Sequence, residues 1–557
     1  MKLKLTSSIL IIIILLSQPL VKAQQNLEDI YKVVEFEMPK VKVTNFPDFH
    51  RSIVEFGAVG DGLTKNSDAF KLAIEEVSNN GGGKVIVPRG IWLTGPITLL
   101  SNINLHLEDG ALIIFSRDKE DYPLVDTSFE GLNTVRCLSP INAYQVENIA
   151  ITGKGTIDGS GDAWRAVKRD KMTENQWNNL VKSGGIVEGT NWYPSQSFLD
   201  GYHASSSFNV PDIKDRKELE KMKDFLRPVM VSIRESKRVL LDGPTFQNSP
   251  AWNIHPLMSE DVIIRNLNIR NPWYSQNGDG LDLESCKNAL IYNNTFDVGD
   301  DAICIKSGKD KDGRDRAIPT ENVIIKNNLV YHGHGGVTVG SEMSSGVKNI
   351  HISNCTFMGT DIGLRFKSTR GRGGIVENIW ISNIDMIGIP TEAIGFNMFY
   401  TGNSPIIEGD QSEEDEKRQE NIIPVTEETP VFRNISMKNI QVTDSETAAF
   451  FMGLPEMKLE NVRLENAVLD AKNGIKAIDA SGLELINIKI LGTNEVPLTI
   501  YNSQRVTVSG FKFEENGKPA VWVLDNSNQV ELDKADFSKP DQILKGTGLP
   551  ANAVKMN

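Results

Sequence analysis

Residues 321–327 read Glu321-Asn322-Val323-Ile324-Ile325-Lys326-Asn327. The same order, a polar residue, an Asn, an apolar alternation and a second Asn, returns along the chain. Copies begin at Glu147-Asn148-Ile149, Glu260-Asp261-Val262, Lys287-Asn288-Ala289, Lys348-Asn349-Ile350 and Glu377-Asn378-Ile379, then at Arg433-Asn434-Ile435 and Glu460-Asn461-Val462. Weaker copies lie near Leu485 and Arg505. From Asp261 onward neighbouring copies are about 24–34 residues apart, the period of a repeat architecture, and the step from Asn378 to Asn434 is about twice that.

Each unit carries short period-2 strands, such as Val262, Ile264 and Leu267, with Asn, Asp and Gly at the corners. One unit cannot bury its apolar face alone, but a stack of them can. Long helical patterns between the strands are missing, which excludes a doubly wound α/β sheet. An ordinary β-sandwich, with turns every ~8–12 residues, is the competing reading. The fold expected is all-β: a right-handed parallel β-helix with Asn side chains stacked at its turns.

Outside the repeats, Asn66-Ser67-Asp68 reads as a capping signal for a helix from Ala69 to Val77. Gly81-Gly82-Gly83 stops that helix, and Lys84-Val85-Ile86-Val87 follows as a strand. Such a helix would cap the open end of the coil, where unpaired edges and apolar rungs are otherwise exposed. The glycine run is not a phosphate loop, because no Gly-Lys-Ser/Thr follows it. The expected division is a signal peptide over 1–23, an N-terminal extension over 24–50, one β-helix over 51–545 and a C-terminal tail over 546–557. Two insertions interrupt the helix. Residues 160–226 are rich in charge and Trp and long enough to shape one end of a groove. The acidic stretch at 406–420 reads as a solvated loop.

The leader has a basic start, Met1-Lys2-Leu3-Lys4, an apolar run from Ile9 to Leu16, and a small-residue exit at Val21-Lys22-Ala23. That run is too short to span a membrane. A secreted or periplasmic product, free of the membrane after cleavage, is expected. Four cysteines, none in a CxxC spacing, are too few for a disulfide framework in 557 residues. No metal and no cofactor are expected. The net charge of −14 excludes nucleic acid as the partner. It does not exclude an acidic sugar, since charge is screened beyond roughly 8–10 Å and a local basic cluster can govern a groove.

Four motifs sit at similar offsets within consecutive repeats. Asn277-Gly278-Asp279 lies 18 residues after Asp261, Gly299-Asp300-Asp301 12 after Asn288, Gly333-His334-Gly335 12 after Asn322, and Arg365-Phe366-Lys367 16 after Asn349. Stacked coils bring such positions to one face, about 4.8 Å apart per rung. Singly they are ordinary: a turn, a solvated corner or calcium ligand, a turn histidine, an exposed strand face. Together they read as a site. Crowded carboxylates cannot all ionise, so one stays protonated as an acid while another activates water, the pair that glycoside hydrolysis needs. Asp300 and Asp301 must lie on a bend, since neighbours on a strand face opposite ways, and Gly299 is read as permitting it. Arg365 and Lys367 offer a fork and a point charge to a sugar carboxylate, with Lys306, Arg370 and Arg372 adding to the positive zone.

The ordered set Asn-x-Asp, Gly-Asp-Asp, Gly-His-Gly and Arg-x-Lys resembles the polygalacturonase family (glycoside hydrolase family 28). The likeness runs from Gly57-Ala58-Val59-Gly60-Asp61-Gly62 to the last clear repeats. It implies a right-handed β-helix that hydrolyses galacturonan with inversion. A monomer that takes polygalacturonate or pectic oligosaccharide is expected. It implies Asp300 as general acid, Asp279 and Asp301 as the pair that positions and deprotonates water, His334 as support for the acid, and Asn277, Arg365 and Lys367 as substrate contacts. Gly278 stands where many endo-acting members carry Thr, and Phe366 where Ile is common. Both variants, with Ser249-Pro250-Ala251-Trp252-Asn253-Ile254-His255-Pro256, resemble the bacterial exo-acting branch. His255 is read there as a sugar contact, and exo action would fit an insertion that blocks one end of the groove. Three alternatives stay open: a rhamnogalacturonan or xylogalacturonan hydrolase of the same fold, a calcium-dependent pectate lyase, and a non-catalytic β-helix that only binds polysaccharide.

Overall fold

The computed structural model describes residues 27–205, 209–400, 422–524, 526–537, 539–546 and 549–557. The expected signal peptide and the acidic stretch at 406–420 lie outside the described residues. The fold is a right-handed parallel β-helix. One coil comprises Glu260–Arg265, Asn268–Arg270 and Leu281–Glu284, and each of these strands pairs in parallel with its counterpart one coil later. Every alternate apolar side chain turns inward, and a single core cluster runs from Ile53 to Val554.

The repeated Asn is explained by its backbone. Asn148, Asp261, Asn288, Asn322, Asn349, Asn378, Asn434 and Asn461 all have φ between 50° and 60°, the left-handed region. Asn and Asp tolerate it better than other side chains with a Cβ, because their short polar groups bond locally. The second Asn of each unit does the same at Asn266, Asn293, Asn327 and Asn354. Stacked coils then join amide to amide: Asn349 Nδ2 donates to Asn322 Oδ1 at 3.1 Å, and Asn354 Nδ2 to Asn327 Oδ1 at 3.3 Å. A third, buried row carries more weight. Asn328 Oδ1 accepts from both the backbone N–H and Nδ2 of Asn294 at 3.0 Å, and Asn328 Nδ2 donates to the Ile291 carbonyl.

The capping helix spans Ser67–Asn79 and buries Ala69, Phe70, Ala73, Ile74 and Val77 against the first coil. Asn66 does not cap it by a side-chain hydrogen bond. Its amide instead joins Val59, Thr64 and Leu93, pinning the loop before the helix.

Two expected boundaries change. The N-terminal extension is a strap laid along the outer wall. Glu35 pairs with His351 at 2.6 Å, Phe36 stacks on Trp380, Lys42 N–H donates to Asp261, and Asn45 N–H donates to Asn148. With Ile30 and Val41 it covers Ile263, Leu290, Tyr292 and Ile324, which face away from the helix core yet are buried. At the other end, residues 546–557 are not a tail: Val554–Met556 is a last strand, paired with Asn528–Leu532. All four cysteines are free and buried. No helix among the described residues is long and apolar enough to cross a membrane.

The two kinds of ladder should respond differently to mutation. Asn328→Ala strands the Asn294 N–H and the Ile291 carbonyl away from water and should cost about 2–4 kcal/mol. Asn354→Gly keeps the left-handed bend and loses two exposed contacts, to Asn327 and from Asn383, so it should cost about 1 kcal/mol or less. Denaturant unfolding of the two variants checks this order.

Candidate active site

The motifs converge on one stack of strands. Leu281, Ile303, Val337 and Leu364 are register partners and point into the core. Counting back two residues from each puts Asp279 and Asp301 in one column. Counting back three puts Asp300, His334 and Asp361 in the next. Arg365 and Lys367 lie further along their strand, in the columns of Asp282 and Glu284, and reach back over Asp301. Oxygens of Asp279, Asp300 and Asp301 lie within 4.8 Å of one another.

The turn glycines are required by space rather than by backbone freedom. A Cβ on Gly278 would meet Ser275 Oγ at 1.9 Å, and one on Gly299 the same atom at 2.4 Å. Gly299 has no positive φ, so its expected role in permitting the bend is really a close approach. Phe366 turns inward and stacks face to face on Phe396, with ring centres 4.2 Å apart, directly beneath the cationic pair.

The three carboxyls differ in state. Burial pushes Asp279 well above the usual carboxylate range, and the charges of Asp282 and Asp300 add to this. Burial would raise Asp301 as well, but Lys367 Nζ at 2.7 Å and Arg365 Nη1 at 3.0 Å outweigh it and hold the group low. Thr338 Oγ1 donates to it too, at 3.0 Å. Asp300 is likewise opposed by burial, yet His334 Nδ1, 3.2 Å away, holds it below its ordinary value. The His334 imidazole is raised, chiefly by its hydrogen bond to Asp300. Within the trio a proton is therefore favoured on Asp279, and Asp300 favours the charged form of His334.

Beneath Asp279 lies a second layer, of which sequence reasoning found only Lys306 and read it as a substrate contact. Lys306 Nζ sits 2.9 Å from Asp282 and 3.8 Å from both Asp279 and Glu342, over the Trp252 ring. Lys306 is thus committed to carboxylates at the cavity floor. Burial pushes Asp282 up to about 6. The signal for Asp282 and Glu284 was present: they alternate with Leu281 and Leu283 and so face outward.

His255 is not a sugar contact in this geometry. It is 1% exposed, and its Nε2 lies 2.8 Å from Glu284, which also pairs with Arg316. The hairpin Leu124–Phe129/Leu132–Cys137 covers this face, placing Phe129 on Trp252 and Ser128 on Arg316. Arg370 is drawn off to Glu456, and Arg372 to Asp310.

An open cavity of about 350 Å³ holds the trio, His334, Arg365 and Lys367. Tyr400 adds a ring beside the two cations, 5.0 Å from Lys367 Nζ. The insertion supplies one wall through Ala166, Lys168, Lys171 and Asn209. Its tryptophans are structural: Trp164 is 0% exposed, and Trp177 and Trp192 are 7%. Arg227 ties this wall to the site, donating to Asn277 Oδ1 at 2.9 Å, to the Gln276 carbonyl at 3.1 Å and to Asn209. Asn277 therefore has its side-chain oxygen engaged by Arg227.

The residues fit a divalent cation poorly. Calcium takes roughly 6–8 oxygens, whereas Asp301 spends both of its oxygens on Lys367, Arg365 and Thr338. The neighbouring group Asp279, Asp282 and Cys304 includes a thiol that burial keeps protonated.

The family model described as "Glycosyl hydrolases family 28" matches residues 213–413. A probable polygalacturonase of Vitis vinifera is 30% identical over 345 residues, and an exo-poly-alpha-D-galacturonosidase of Dickeya chrysanthemi is 29% identical over 402. These alignments take in 60% and 71% of this chain, and the chain spans 60% and 62% of the two relatives' lengths. The crystal structure of a hyperthermoactive exopolygalacturonase from Thermotoga maritima is 33% identical, covering 84% of this chain and 95% of that one, with a TM-score of 0.66. The family 28 exopolygalacturonase of Yersinia enterocolitica, 22% identical with a TM-score of 0.64, shares the fold. The chain belongs to glycosyl hydrolases family 28.

The buried Glu284 ion pair makes stability depend on pH. Burial opposes its ionisation, but His255 and then Arg316 pull it down to about 2 from a usual 4.5. A lowered carboxyl contributes above its unfolded pKa, so about 3 kcal/mol should be present above pH ~4.5 and lost as pH falls toward ~2. Glu284→Gln should flatten the acid side of a stability-against-pH curve, measured by thermal unfolding, while also lowering stability at neutral pH.

Proposed function

We propose that this chain is a secreted or periplasmic, monomeric hydrolase of α-1,4-galacturonosidic bonds in polygalacturonan, acting from chain ends with inversion. The observation that carries this reading is the trio Asp279, Asp300 and Asp301 at mutual reach, flanked by His334 on one side and by Arg365 and Lys367 on the other. The likeness to the Thermotoga exopolygalacturonase supports it.

In this mechanism Asp301, kept ionised by Lys367 and Arg365, takes the proton of the attacking water, and Asp279 is the second hydrogen-bond partner of that water. Asp300 protonates the leaving oxygen. Because His334 lowers the proton affinity of Asp300 and Asp300 raises that of His334, the proton comes to Asp300 across the 3.2 Å contact with His334 Nδ1. Arg365 and Lys367 hold the sugar carboxylate in competition with Asp301, a competition that adapts the cations to an acidic ligand without leaving them uncompensated. Exo action is supported by the insertion wall at one end of the cavity, which leaves room for a chain end.

The raised His334 pKa sets the sign of the pH profile. Activity is present below that value and falls as pH rises through it, above the ordinary imidazole value near 6.5. Asp301 stays ionised through the usual carboxylate range. Asp300→Asn should lose about 10²- to 10⁴-fold in kcat with oligosaccharide binding kept, and His334→Ala should remove the alkaline limb. Product sizes and anomers from polygalacturonate, followed by chromatography and proton NMR, test the rest. An early ladder of mixed oligomers sinks exo action, and retention of the anomer sinks inversion. An unsaturated, ultraviolet-absorbing product abolished by chelator would replace hydrolysis by a lyase.

A further inference from the structure

The cavity has a second cationic corner that no step of the proposed hydrolysis uses. Lys168 and Lys171 of the insertion and Trp273, on the loop leading to Asn277, line it together. Lys168 ends the short strand Val167–Lys168, and Lys171 ends the 3₁₀ turn Arg169–Lys171. Trp273 is 54% exposed, and Lys171 Nζ stands 5.6 Å from its ring centre. Among the described residues no carboxylate forms an ion pair with either lysine, in a chain whose net charge is −14. Arg365 and Lys367, by contrast, are both paired with Asp301.

The corner is also held in place. Val167, Trp177 and Trp192 form a small core, and Tyr274 packs against it. The lysines and Trp273 therefore project from two sides of one packed unit. The insertion leaves the helix between the strands Thr156–Asp158 and Val231–Arg234, before the coils of the trio, while Arg365 and Lys367 lie two coils after Asp301. The two cationic groups thus flank the trio along the helix axis.

We propose that Lys168, Lys171 and Trp273 form a second uronate subsite. It holds a further ring of the same galacturonate chain, stacked on the indole, with its carboxylate between the two ammonium groups. An exposed indole offers a flat apolar face to the C–H side of a pyranose, and its π face also favours the nearby cation. Two ammonium groups with no ion-pair partner among the described residues offer point charges to a carboxylate. The inference rests on the galacturonan reading and names how that site tells an acidic chain from a neutral one.

The test compares Lys168→Ala/Lys171→Ala and Trp273→Ala, each made in the native enzyme for kinetics and in Asp300→Asn for calorimetry with trigalacturonate. Thermal unfolding first establishes that the variants are folded. Both should weaken trigalacturonate binding about tenfold or more and raise KM by a similar factor with kcat nearly unchanged, as loss of uniform binding requires. Binding of the fully methyl-esterified trisaccharide should be weakened by Trp273→Ala but not by the lysine double variant. Unchanged affinity for trigalacturonate, equal losses for acid and ester in the lysine variant, or a fall in kcat at constant KM would each overturn the subsite. If the native enzyme leaves galacturonan uncut, the hydrolase reading falls by itself. Calorimetry then still decides the subsite: lysine-dependent binding of the acid upholds it, and no binding in any variant overturns it.

Discussion

Each coil of this helix turns on residues whose backbone is left-handed, and nearly everything else depends on those turns. An L-residue pays for that conformation, and Asn pays least among those that can also bond to a copy of itself one coil away. Asn288, Asn322 and Asn349 do both at once. The turn thereby sets the phase of the strand that follows, so that inward and outward positions repeat from coil to coil. A slip of one residue would invert every side chain. The constellation of the candidate site is a product of this phase. Asp279 shares a column with Asp301, and Asp300 with His334, because their strands are held in register by the turns that precede them.

That register creates an electrostatic problem, which the neighbouring columns solve. Four acidic groups, Asp279, Asp282, Asp300 and Asp301, are crowded into a desolvated patch. Lys306, Lys367, Arg365 and His334 stand among them. The cations do not simply neutralise the patch. They are placed unevenly, so that Asp301 is held ionised while Asp279 keeps a proton. Neighbouring carboxyls are thereby pushed to different proton affinities by their surroundings. Beneath it, Arg227 is fully buried and bonds to carbonyl and amide oxygens, with burial pushing it down to about 9. It joins the insertion wall to Asn277, so the shape of the cavity and the orientation of the site are coupled.

The β-helix and the trio were legible because both are periodic. A repeated Asn marks a coil, and a motif at a steady offset from it marks a face. What stayed hidden has no period. The offset of Asp279 from its anchor differs from that of Asp300 because the loops between strands differ in length, so the columns could not be resolved from spacing. His255 occupies an outward position in the column of Asp282 and looks available for binding. It is buried by the hairpin around Phe129, more than a hundred residues earlier, which carries no repeat. The acid–base order suggested by family likeness also needed coordinates. Crowding predicts that one carboxyl is protonated, but which one depends on the burial of Asp279 beside Asp282 and on Lys367 and Arg365 beside Asp301. The Lys168, Lys171 and Trp273 corner was invisible for the same reason: its members come from two segments joined only by packing.

The strap has a consequence for how the molecule is made. Glu35 and His351 are separated by 316 residues, and Phe36 waits for Trp380. On a chain that emerges N-terminus first at roughly 5–20 residues per second, tens of seconds pass before the partner surface exists. Meanwhile the outward stripe of Ile263, Leu290 and Ile324 forms with nothing over it. The first described residues to be synthesised are thus among the last to find their place, and the apolar flank stays exposed to self-association until they do. Assembly of this coil ends where the chain began.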